Sequence, residues 1–337
     1  MKTVIIGSGS WGTGLAQVLV DNKQDVIIYG VVNDEVIDIE RYHQNSKYFD
    51  KLLLNYDVHA TGDFSVVKDA DIVVLSVPSG VIDVVCKQVN ETVRKAVIIV
   101  NTAKGFHPQS HERLSEVIKN NFDQKNLKAI VNLIGPSHAE EVVRRMLTTI
   151  CAVSEDFEAA TIIQNLFSNS YFRVYTSDDL IGSETGVALK NIMAIASGIL
   201  AGLDIAGDNA KAALMTRGLA EMVRYGLAKG GKLETFLGLT GIGDLIVTCT
   251  SVHSRNFQAG YQIGKHDSAK YFWENNTKTV EGIKACEIVY KEAKKNKIEM
   301  PIVEQVYQVL YEEALPSKAI ENLMNRDLKT EKISITK

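Results

Sequence analysis

The first half of the chain is organised by short, continuous apolar runs separated by more polar segments. The clearest of these runs, at residues 4–6, 70–78 and 97–101, are rich in valine and isoleucine, and further strands are predicted at 25–29, 129–134, 149–153 and 171–175. Continuous apolar runs are typical of parallel strands that are covered on both faces of a sheet. The strand–helix alternation continues to about residue 178, and it therefore predicts an α/β domain with a doubly wound, mostly parallel sheet.

Beyond residue 178 the apolar positions change to helical spacing, and β-branched runs almost disappear. Segments with this spacing lie at 188–201, 211–228, 280–296 and 303–313. Leu214, Leu219, Met222 and Val223 form the apolar face of the second segment. With 337 residues, the chain is long enough for about two domains. We therefore predict an α/β domain over 1–180 and an all-α domain over 181–337.

A glycine-rich turn follows the first apolar run. Gly7, Gly9 and Gly12 have the spacing G-x-G-x-x-G and are followed by apolar residues at helical spacing. In a strand–turn–helix context, these glycines would permit a tight turn, admit a pyrophosphate and let the helix pack close to the strand. Such loops also occur as plain structural turns, but this context favours a Rossmann domain that binds a dinucleotide.

The residues after the second run do not decide between NAD and NADP. A Rossmann unit that prefers NAD usually has an acidic residue at the end of this strand. Here the strand is followed by the uncharged residues 30–33, while Asp34 and Glu35 come slightly late and Arg41 is too far along for a 2′-phosphate. Either cofactor therefore stays possible.

Composition narrows the class of protein. The net charge is −4 and the pI is about 6.0, so we expect no nucleic-acid partner. We find no leader peptide and no stretch approaching the about 18 apolar residues of a spanning helix, and so expect no membrane insertion. Four scattered cysteines without a C-x-x-C pair predict a reduced, cytoplasmic protein with unpaired, mostly buried thiols.

Two segments of the first half place polar residues where parallel strands end, the edge at which doubly wound sheets bind ligands. Lys104 follows the run 97–101, although most lysines in such turns are only solvated surface. After the run 129–134, Gly135 and Pro136 precede Ser137, which we predict to cap a helix. His138 and its acidic neighbours lack the spacing of a metal site, and we expect no metal.

Two ionisable residues of the second half stand in apolar surroundings. Lys190 lies among apolar residues of a predicted helix, where desolvation would suit a general base; the alternative is an exposed lysine on the polar face. Asp244 stands in the glycine-rich segment 238–250, either as a helix cap or as the partner of a catalytic cation.

A third group of polar residues could bind an anion. Ser254, Arg255 and Asn256 combine a guanidinium with hydroxyl and amide groups, which suits a phosphate; a solvated surface arginine is the alternative. Glu281 opens a predicted helix and is most simply an acid that stabilises the helix dipole.

An ordered set of motifs resembles the bacterial NAD(P)-dependent glycerol-3-phosphate dehydrogenases. The motifs are GSGSWGT at 7–13, SVP at 76–78, AKG at 103–105, GPSHAEE at 135–141, ALKN at 188–191, TRGL at 216–219, GIGDL at 241–245, SRN at 254–256, VEG at 280–282 and MPI at 300–302. The resemblance runs from Lys2 to about Arg326. It implies a Rossmann domain, a helical domain with the active site between the two, and a homodimer.

The resemblance also implies the reaction and the residue roles. Lys190 would be the proton acceptor in the interconversion of sn-glycerol 3-phosphate and dihydroxyacetone phosphate, assisted by Lys104 and Asp244, and the product would supply phospholipid synthesis. The implied substrate contacts are Lys104, Gly135, Ser137, Lys190, Asn191, Asp244, Thr248, Ser254, Arg255 and Asn256. The implied cofactor contacts are Gly7, Gly9, Ser10, Trp11, Gly12, Lys104, Ala139, Arg255, Thr279 and Glu281.

Two other functions stay open at this point. A related two-domain enzyme could act on a different hydroxy acid or keto acid, and a dinucleotide sensor could share the fold without catalysis. The chain also departs from the family where Val31 replaces the usual basic or polar residue after the second strand.

Overall fold

A computed structural model describes residues 1–205 and 207–331 of the chain. The contacts divide the chain into two compact units, Met1–Leu180 and Ile181–Lys337. The four cysteines, Cys86, Cys151, Cys249 and Cys286, are buried and free, as predicted.

In the described part of the first unit, eight strands form one sheet in the order β3-β2-β1-β4-β5-β6-β7-β8. The strands are β1 Lys2–Ile6, β2 Asp25–Tyr29, β3 His59–Thr61, β4 Ile72–Leu75, β5 Val97–Asn101, β6 Leu127–Ile134, β7 Thr148–Val153 and β8 Phe172–Ser177. Neighbouring strands of this sheet are parallel except for the antiparallel pair β6–β7. The predicted doubly wound, mostly parallel sheet is confirmed.

Both faces of the sheet are covered, which explains the continuous apolar runs. Successive strand residues point to opposite faces. Ile5 and Val74 belong to one buried cluster, whereas Val4 and Val73 belong to another on the opposite face.

The helices of the first unit follow the strands. They are α1 Ser10–Asp21, α2 Asn33–Tyr42, α3 Ser46–Phe49, α4 Ile82–Thr92, α5 Leu114–Asn120, α6 Ala139–Val142 and α7 Phe157–Phe167. The prediction that Ser137 caps a helix was wrong, because α6 begins two residues later with His138 at its N-cap. The Ser137 hydroxyl instead donates to the Gly135 carbonyl at 3.1 Å.

The described residues of the second unit are helical, as predicted. The helices are α8 Leu180–Gly202, α9 Asp208–Ala228, α10 Leu233–Phe236, α11 Asp244–Thr250, α12 Arg255–Lys265, α13 Lys270–Asn275, α14 Glu281–Asn296, α15 Pro301–Tyr311 and α16 Pro316–Met324. A turn of π-helix, Leu239–Gly243, leads into α11. Helix α8 begins eight residues before the predicted start at residue 188.

Helix α8 also corrects the expectation that no stretch is long and apolar enough to cross a membrane. Leu180–Gly202 meets that criterion by length and composition, as does the stretch Leu233–Thr250. The sequence count missed α8 because Glu184 and Lys190 interrupt its apolar residues. Since 83% of its most apolar window is buried inside the fold, α8 has the surroundings of the core helix of a globular protein.

Helices α8 and α12 touch each other through their backbones. A Cβ added to Gly198 would lie 2.0 Å from the Phe257 carbonyl oxygen, and one added to Gly260 would lie 2.0 Å from the Ile195 carbonyl oxygen. Gly202 and Gly264 repeat the pattern one turn further along. The contact packs α12 against the C-terminal part of α8, residues 195–202.

A buried carboxyl group joins α9 to α15. Glu221 is 2% exposed and accepts hydrogen bonds from the backbone N–H groups of Ile302 at 2.7 Å and Val303 at 3.2 Å. These donors belong to the first turn of α15, whose N–H groups have no partner within the helix. Burial raises the pKa of Glu221 to about 8.

We predict that Glu221→Gln removes a pH dependence of stability. Because the folded-state pKa lies above the ordinary value of 4.5, folding takes up a proton between these values. The contribution of Glu221 to stability is therefore full below about pH 4.5 and is lost as the pH rises through 8. Urea midpoints measured from pH 5 to pH 8 should fall less steeply for the variant than for the parent chain.

The control for this prediction is Glu274→Gln, which changes an exposed carboxyl of α13 in the same unit. It should keep the slope of the parent chain. Equal slopes for Glu221→Gln and the parent would contradict the assignment of the buried proton to Glu221.

Candidate active site

The glycine-rich turn connects β1 to α1 at the carboxyl edge of the sheet. Gly7 has φ +120°, and a Cβ there would lie 2.2 Å from the Ser76 carbonyl oxygen after β4. A Cβ on Gly12 would lie 2.1 Å from the Gly7 carbonyl oxygen. Both positions therefore require glycine, the first for its backbone conformation and both for close packing.

Gly9 has a different environment from the other two glycines. The nearest atom to a Cβ added there is the Tyr48 hydroxyl oxygen at 4.0 Å, so the backbone faces open space. Ser10 and Trp11 follow in the first turn of α1, which contains no acidic residue. The free N–H groups and positive dipole end of such a helix attract an anion. The turn thus has both the space and the polarity that a pyrophosphate needs.

A polar cluster lies beside this turn and was not predicted. Glu35 is buried and accepts hydrogen bonds from Ser8 Oγ at 2.6 Å, Lys47 Nζ at 2.7 Å and Tyr48 Oη at 3.1 Å. Burial alone would raise the pKa of Glu35, but the bonds from Lys47, Ser8 and Tyr48 outweigh it and lower the pKa. The sequence marked Glu35 only as a late acidic residue, and it gave no sign of Lys47 and Tyr48, which the one-turn helix α3 brings in.

Other predicted residues of the first unit gather at the same edge, because β1, β4, β5 and β6 are parallel. Lys104 follows β5, and Gly135 and Ser137 follow β6. Ala139 opens α6, and its carbonyl oxygen lies 3.7 Å from a Cβ added to Gly14 of α1. The structure therefore brings Lys104, Gly135, Ser137 and Ala139 to the edge that carries the glycine turn.

A buried ion pair lies within the second unit. Lys190, on α8, is 1% exposed, and its Nζ lies 2.5 Å from Asp244 Oδ1. The same nitrogen donates to Thr248 Oγ1 at 2.8 Å, and that hydroxyl donates to the Asp244 carbonyl oxygen at 2.6 Å. The interpretation of Lys190 as an exposed lysine was wrong. Asp244 is the partner of this cation, and Gly243 holds the N-cap position instead.

The π-helical turn before α11 sets the position of Asp244. A Cβ on Gly241, within this turn, would lie 2.1 Å from the Phe236 carbonyl oxygen. Single π-helical turns are rare in proteins, and those that occur are often found at functional sites. The glycine-rich sequence of this segment is therefore needed for the close approach that carries Asp244 to Lys190.

Asn191, the residue after Lys190, and Asn256 both lie close to Gly282. Gly282, in the first turn of α14, donates its N–H to Asn256 Oδ1 at 2.9 Å, and a Cβ there would lie 2.7 Å from the Asn191 carbonyl oxygen. Among the described residues, the buried Asn191 Nδ2 has no hydrogen-bond partner. A buried donor in this state is unusual and suits a ligand that accepts a hydrogen bond.

The remaining predicted residues lie at the starts of α12 and α14. Ser254 caps α12 by accepting the Phe257 N–H at 3.2 Å. Arg255 is exposed in the first turn of α12, so its assignment as a phosphate ligand or as a solvated arginine stays open. Thr279 is exposed, and Glu281 lies in the first turn of α14, the position in which an acid favours the helix dipole. In the described ranges, no three His, Cys, Asp or Glu residues form a group that could hold a metal ion.

Comparison with known proteins identifies the family. Residues 2–160 match the model of the NAD-dependent glycerol-3-phosphate dehydrogenase N-terminus, and residues 179–321 match that of the C-terminus. The chain is 48% identical over 334 residues to a glycerol-3-phosphate dehydrogenase (NAD(P)+) of Listeria monocytogenes, covering 99% of this chain and 98% of the relative. It is 45% identical over 331 residues to the enzyme of the same name from Enterococcus faecalis, covering 98% of this chain and 97% of the relative.

A solved structure supports the same assignment. The crystal structure of glycerol-3-phosphate dehydrogenase from Coxiella burnetii aligns with a TM-score of 0.88 at 33% identity, covering 96% of this chain and 99% of that one. Both the sequence and the fold therefore show that the chain belongs to the NAD-dependent glycerol-3-phosphate dehydrogenase family.

Proposed function

We propose that the chain catalyses the reversible, NAD- or NADP-dependent interconversion of sn-glycerol 3-phosphate and dihydroxyacetone phosphate. The observation that carries this proposal is the buried Lys190–Asp244–Thr248 cluster; the next residue in the chain, Asn191, has a buried amide nitrogen without a hydrogen-bond partner among the described residues. A family member with a buried lysine that can carry a proton, and a buried amide that can donate a hydrogen bond to a ligand, has groups that this reaction needs.

Lys190 moves the proton in both directions. In oxidation, its neutral amine accepts the proton of the C2 hydroxyl while the hydride leaves C2. In reduction, the ammonium form gives a proton to the oxygen that becomes the C2 hydroxyl. NAD or NADP, when bound, takes up or returns the hydride.

Asp244 favours the form of Lys190 that acts in reduction. A carboxylate 2.5 Å from Nζ stabilises the ammonium, and Thr248 Oγ1 fixes the direction of one of its protons. The chain would thereby be prepared to donate a proton to dihydroxyacetone phosphate. In that direction the product is the glycerol phosphate used for phospholipid synthesis.

Other residues would hold the substrate. Arg255, Asn256 and Ser254 would bind its phosphate at the start of α12, where a guanidinium and free backbone N–H groups favour an anion. Lys104 would stabilise negative charge on the reacting oxygen. Asn191, Gly135 and Ser137 would complete the contacts.

The cofactor would bind at the glycine turn of α1. Gly7, Gly9 and Gly12 with Ser10 and Trp11 would hold the pyrophosphate, and Ala139, Thr279 and Glu281 would contribute further contacts. Val31 follows β2, is 83% exposed and carries no charge that would select or reject a 2′-phosphate. We therefore propose that both NAD and NADP bind.

The expected setting is a cytoplasmic homodimer whose ligands are small molecules rather than nucleic acid. Light scattering coupled to gel filtration would give the mass of the assembly, against 37.1 kDa for one chain.

The direct test of function follows cofactor absorbance at 340 nm with dihydroxyacetone phosphate, using NADH and NADPH in separate assays. We expect oxidation of both cofactors. Turnover only with another keto acid from a substrate panel would indicate the related dehydrogenase. Cofactor binding without turnover on any member of the panel would indicate a sensor.

We predict that Lys190→Met lowers kcat by about 10²–10⁴-fold, because general acid–base catalysis contributes that much. Leaving the buried Asp244 carboxylate without its cation costs about 3–5 kcal/mol, so this variant is also expected to lose stability. The double variant Lys190→Met with Asp244→Asn removes both charges and should recover most of that stability without recovering turnover. A folded double variant with near-normal kcat would contradict the proton-transfer role.

Arg255→Ala should raise the KM for dihydroxyacetone phosphate about tenfold to hundredfold, since a hydrogen bond to a charged group is worth about 1.5–3 kcal/mol. The matched control is Lys265→Ala, which removes an exposed cation at the other end of α12. An unchanged KM for Arg255→Ala would support the solvated-arginine alternative.

Gly9→Val should weaken binding of NADH about tenfold to hundredfold, because its side chain would fill the space in front of the turn. Fluorescence titration of NADH measures this affinity without catalysis. Gly62→Val, at an exposed glycine without positive φ, serves as the control. Unaltered affinity in Gly9→Val would place the cofactor elsewhere.

A further inference from the structure

Two asparagines form a buried amide pair where β5 and β6 approach their carboxyl ends. Asn101 and Asn132 are fully buried and face each other in the strand register. Asn101 Nδ2 donates to Asn132 Oδ1 at 3.0 Å. Val100, Val131 and Leu133 beside them are buried apolar residues. A polar pair in such surroundings is costly unless its hydrogen bonds are made.

The other end of the Asn101 amide holds the backbone that leads to Lys104. Asn101 Oδ1 accepts the N–H of Ala103 at 3.1 Å, a local bond that fixes a turn two residues ahead. Thr102 is tied to the neighbouring strand, since its hydroxyl donates to the Leu75 carbonyl oxygen at 2.9 Å. The chain between β5 and Lys104 is therefore fastened to β4 on one side and to β6 on the other.

Among the described residues, only the oxygen of the Asn132 amide makes a hydrogen bond. In the described part of the chain, its buried Nδ2 has no hydrogen-bond partner. A buried donor without a partner costs about 1–3 kcal/mol, and an apolar residue would avoid this cost. The pair is thus a poor choice for packing alone, and the function of its one direct bond is to orient Asn101.

We propose that Asn101 is a positioning residue for Lys104, with Asn132 orienting its amide. The inference rests on the proposed function, in which Lys104 acts on the reacting oxygen. Because Asn101 is fully buried, we assign it an indirect role: it sets where the backbone of Ala103 and Lys104 leaves the sheet. The glycine after Lys104 has φ +92°, so the chain turns away directly afterwards and Lys104 stands at the tip of a short, fixed bend.

The test is a double-mutant cycle between Asn101→Leu and Lys104→Met. In the parent background, Asn101→Leu should lower kcat for dihydroxyacetone phosphate about tenfold to hundredfold, as small displacements of catalytic groups do. In the Lys104→Met background it should change kcat by less than about twofold, because coupled residues are not additive. Equal losses in both backgrounds would show a general structural effect and overturn the proposal.

Two further variants separate positioning from folding. Asn101→Ser keeps an oxygen that can accept the Ala103 N–H, and it should recover much of the kcat lost in Asn101→Leu. Asn126→Ala removes an asparagine before β6 whose amide bonds to Asn90, away from the ligand edge, and it should leave kcat unchanged. No recovery with Asn101→Ser, or an equal loss with Asn126→Ala, would count against the inference.

A readout without catalysis distinguishes this inference from the function on which it rests. Lysines labelled with ¹³C-methyl groups give NMR peaks, and Lys104→Arg identifies the peak of Lys104. Asn101→Leu should shift or broaden that peak, while Asn126→Ala leaves it in place. An unchanged peak would overturn the positioning role, whereas a shifted peak in a chain that reduces no dihydroxyacetone phosphate would keep the positioning and refute the proposed function.

Discussion

The buried pair of Lys190 and Asp244 is the interaction on which the second unit depends. Neither charge could remain in this environment alone, because an isolated ion costs several kcal/mol to remove from water. Each residue therefore requires the other to be in place, and Thr248 adds a hydrogen bond to both. The pair can form only if α8, which carries Lys190, and α11, which carries Asp244 and Thr248, are held at a fixed distance.

Those distances are set by glycine rather than by large side chains. The π-helical turn before α11, the contact of α12 with α8 and the start of α14 each bring one backbone against another. The first of these contacts leads to the pairing of Asp244 with Lys190, and the last brings Gly282 to the Asn191 carbonyl and the Asn256 side chain. In the first unit the equivalent constraint is the parallel sheet, which carries the glycine turn and Lys104 to one edge.

Sequence patterns predicted a strand well where the residues of that strand themselves carry the pattern. The strands 25–29 and 97–101 were predicted with their observed bounds, because each is a continuous apolar run that ends at a glycine or a polar turn. Strand β3, His59–Thr61, was missed because three residues of mixed polarity carry no pattern. The reversed direction of β7 was also missed, since strand direction depends on pairing between segments and not on the residues within one.

The site was harder to predict than the fold, for a similar reason. Helical spacing could not decide whether Lys190 is buried, because its partner Asp244 is 54 residues away in sequence. The sequence left Lys190 as a general base or an exposed lysine and Asp244 as a helix cap or the partner of a cation, and only the family resemblance favoured the catalytic alternative for each. The cluster around Glu35 and the amide pair of Asn101 gave no signal, since each depends on contacts between distant segments.

The contact between α8 and α12 has a mechanical consequence. No compressible side chain separates the two backbones at the crossing, so a displacement of one helix is transmitted to the other at nearly full amplitude. Lys190 on α8 and Arg255 at the start of α12 therefore belong to one rigid pair of helices. A conformational change of the second unit that admits or releases a ligand therefore has to occur in the segments around these two helices, not between them.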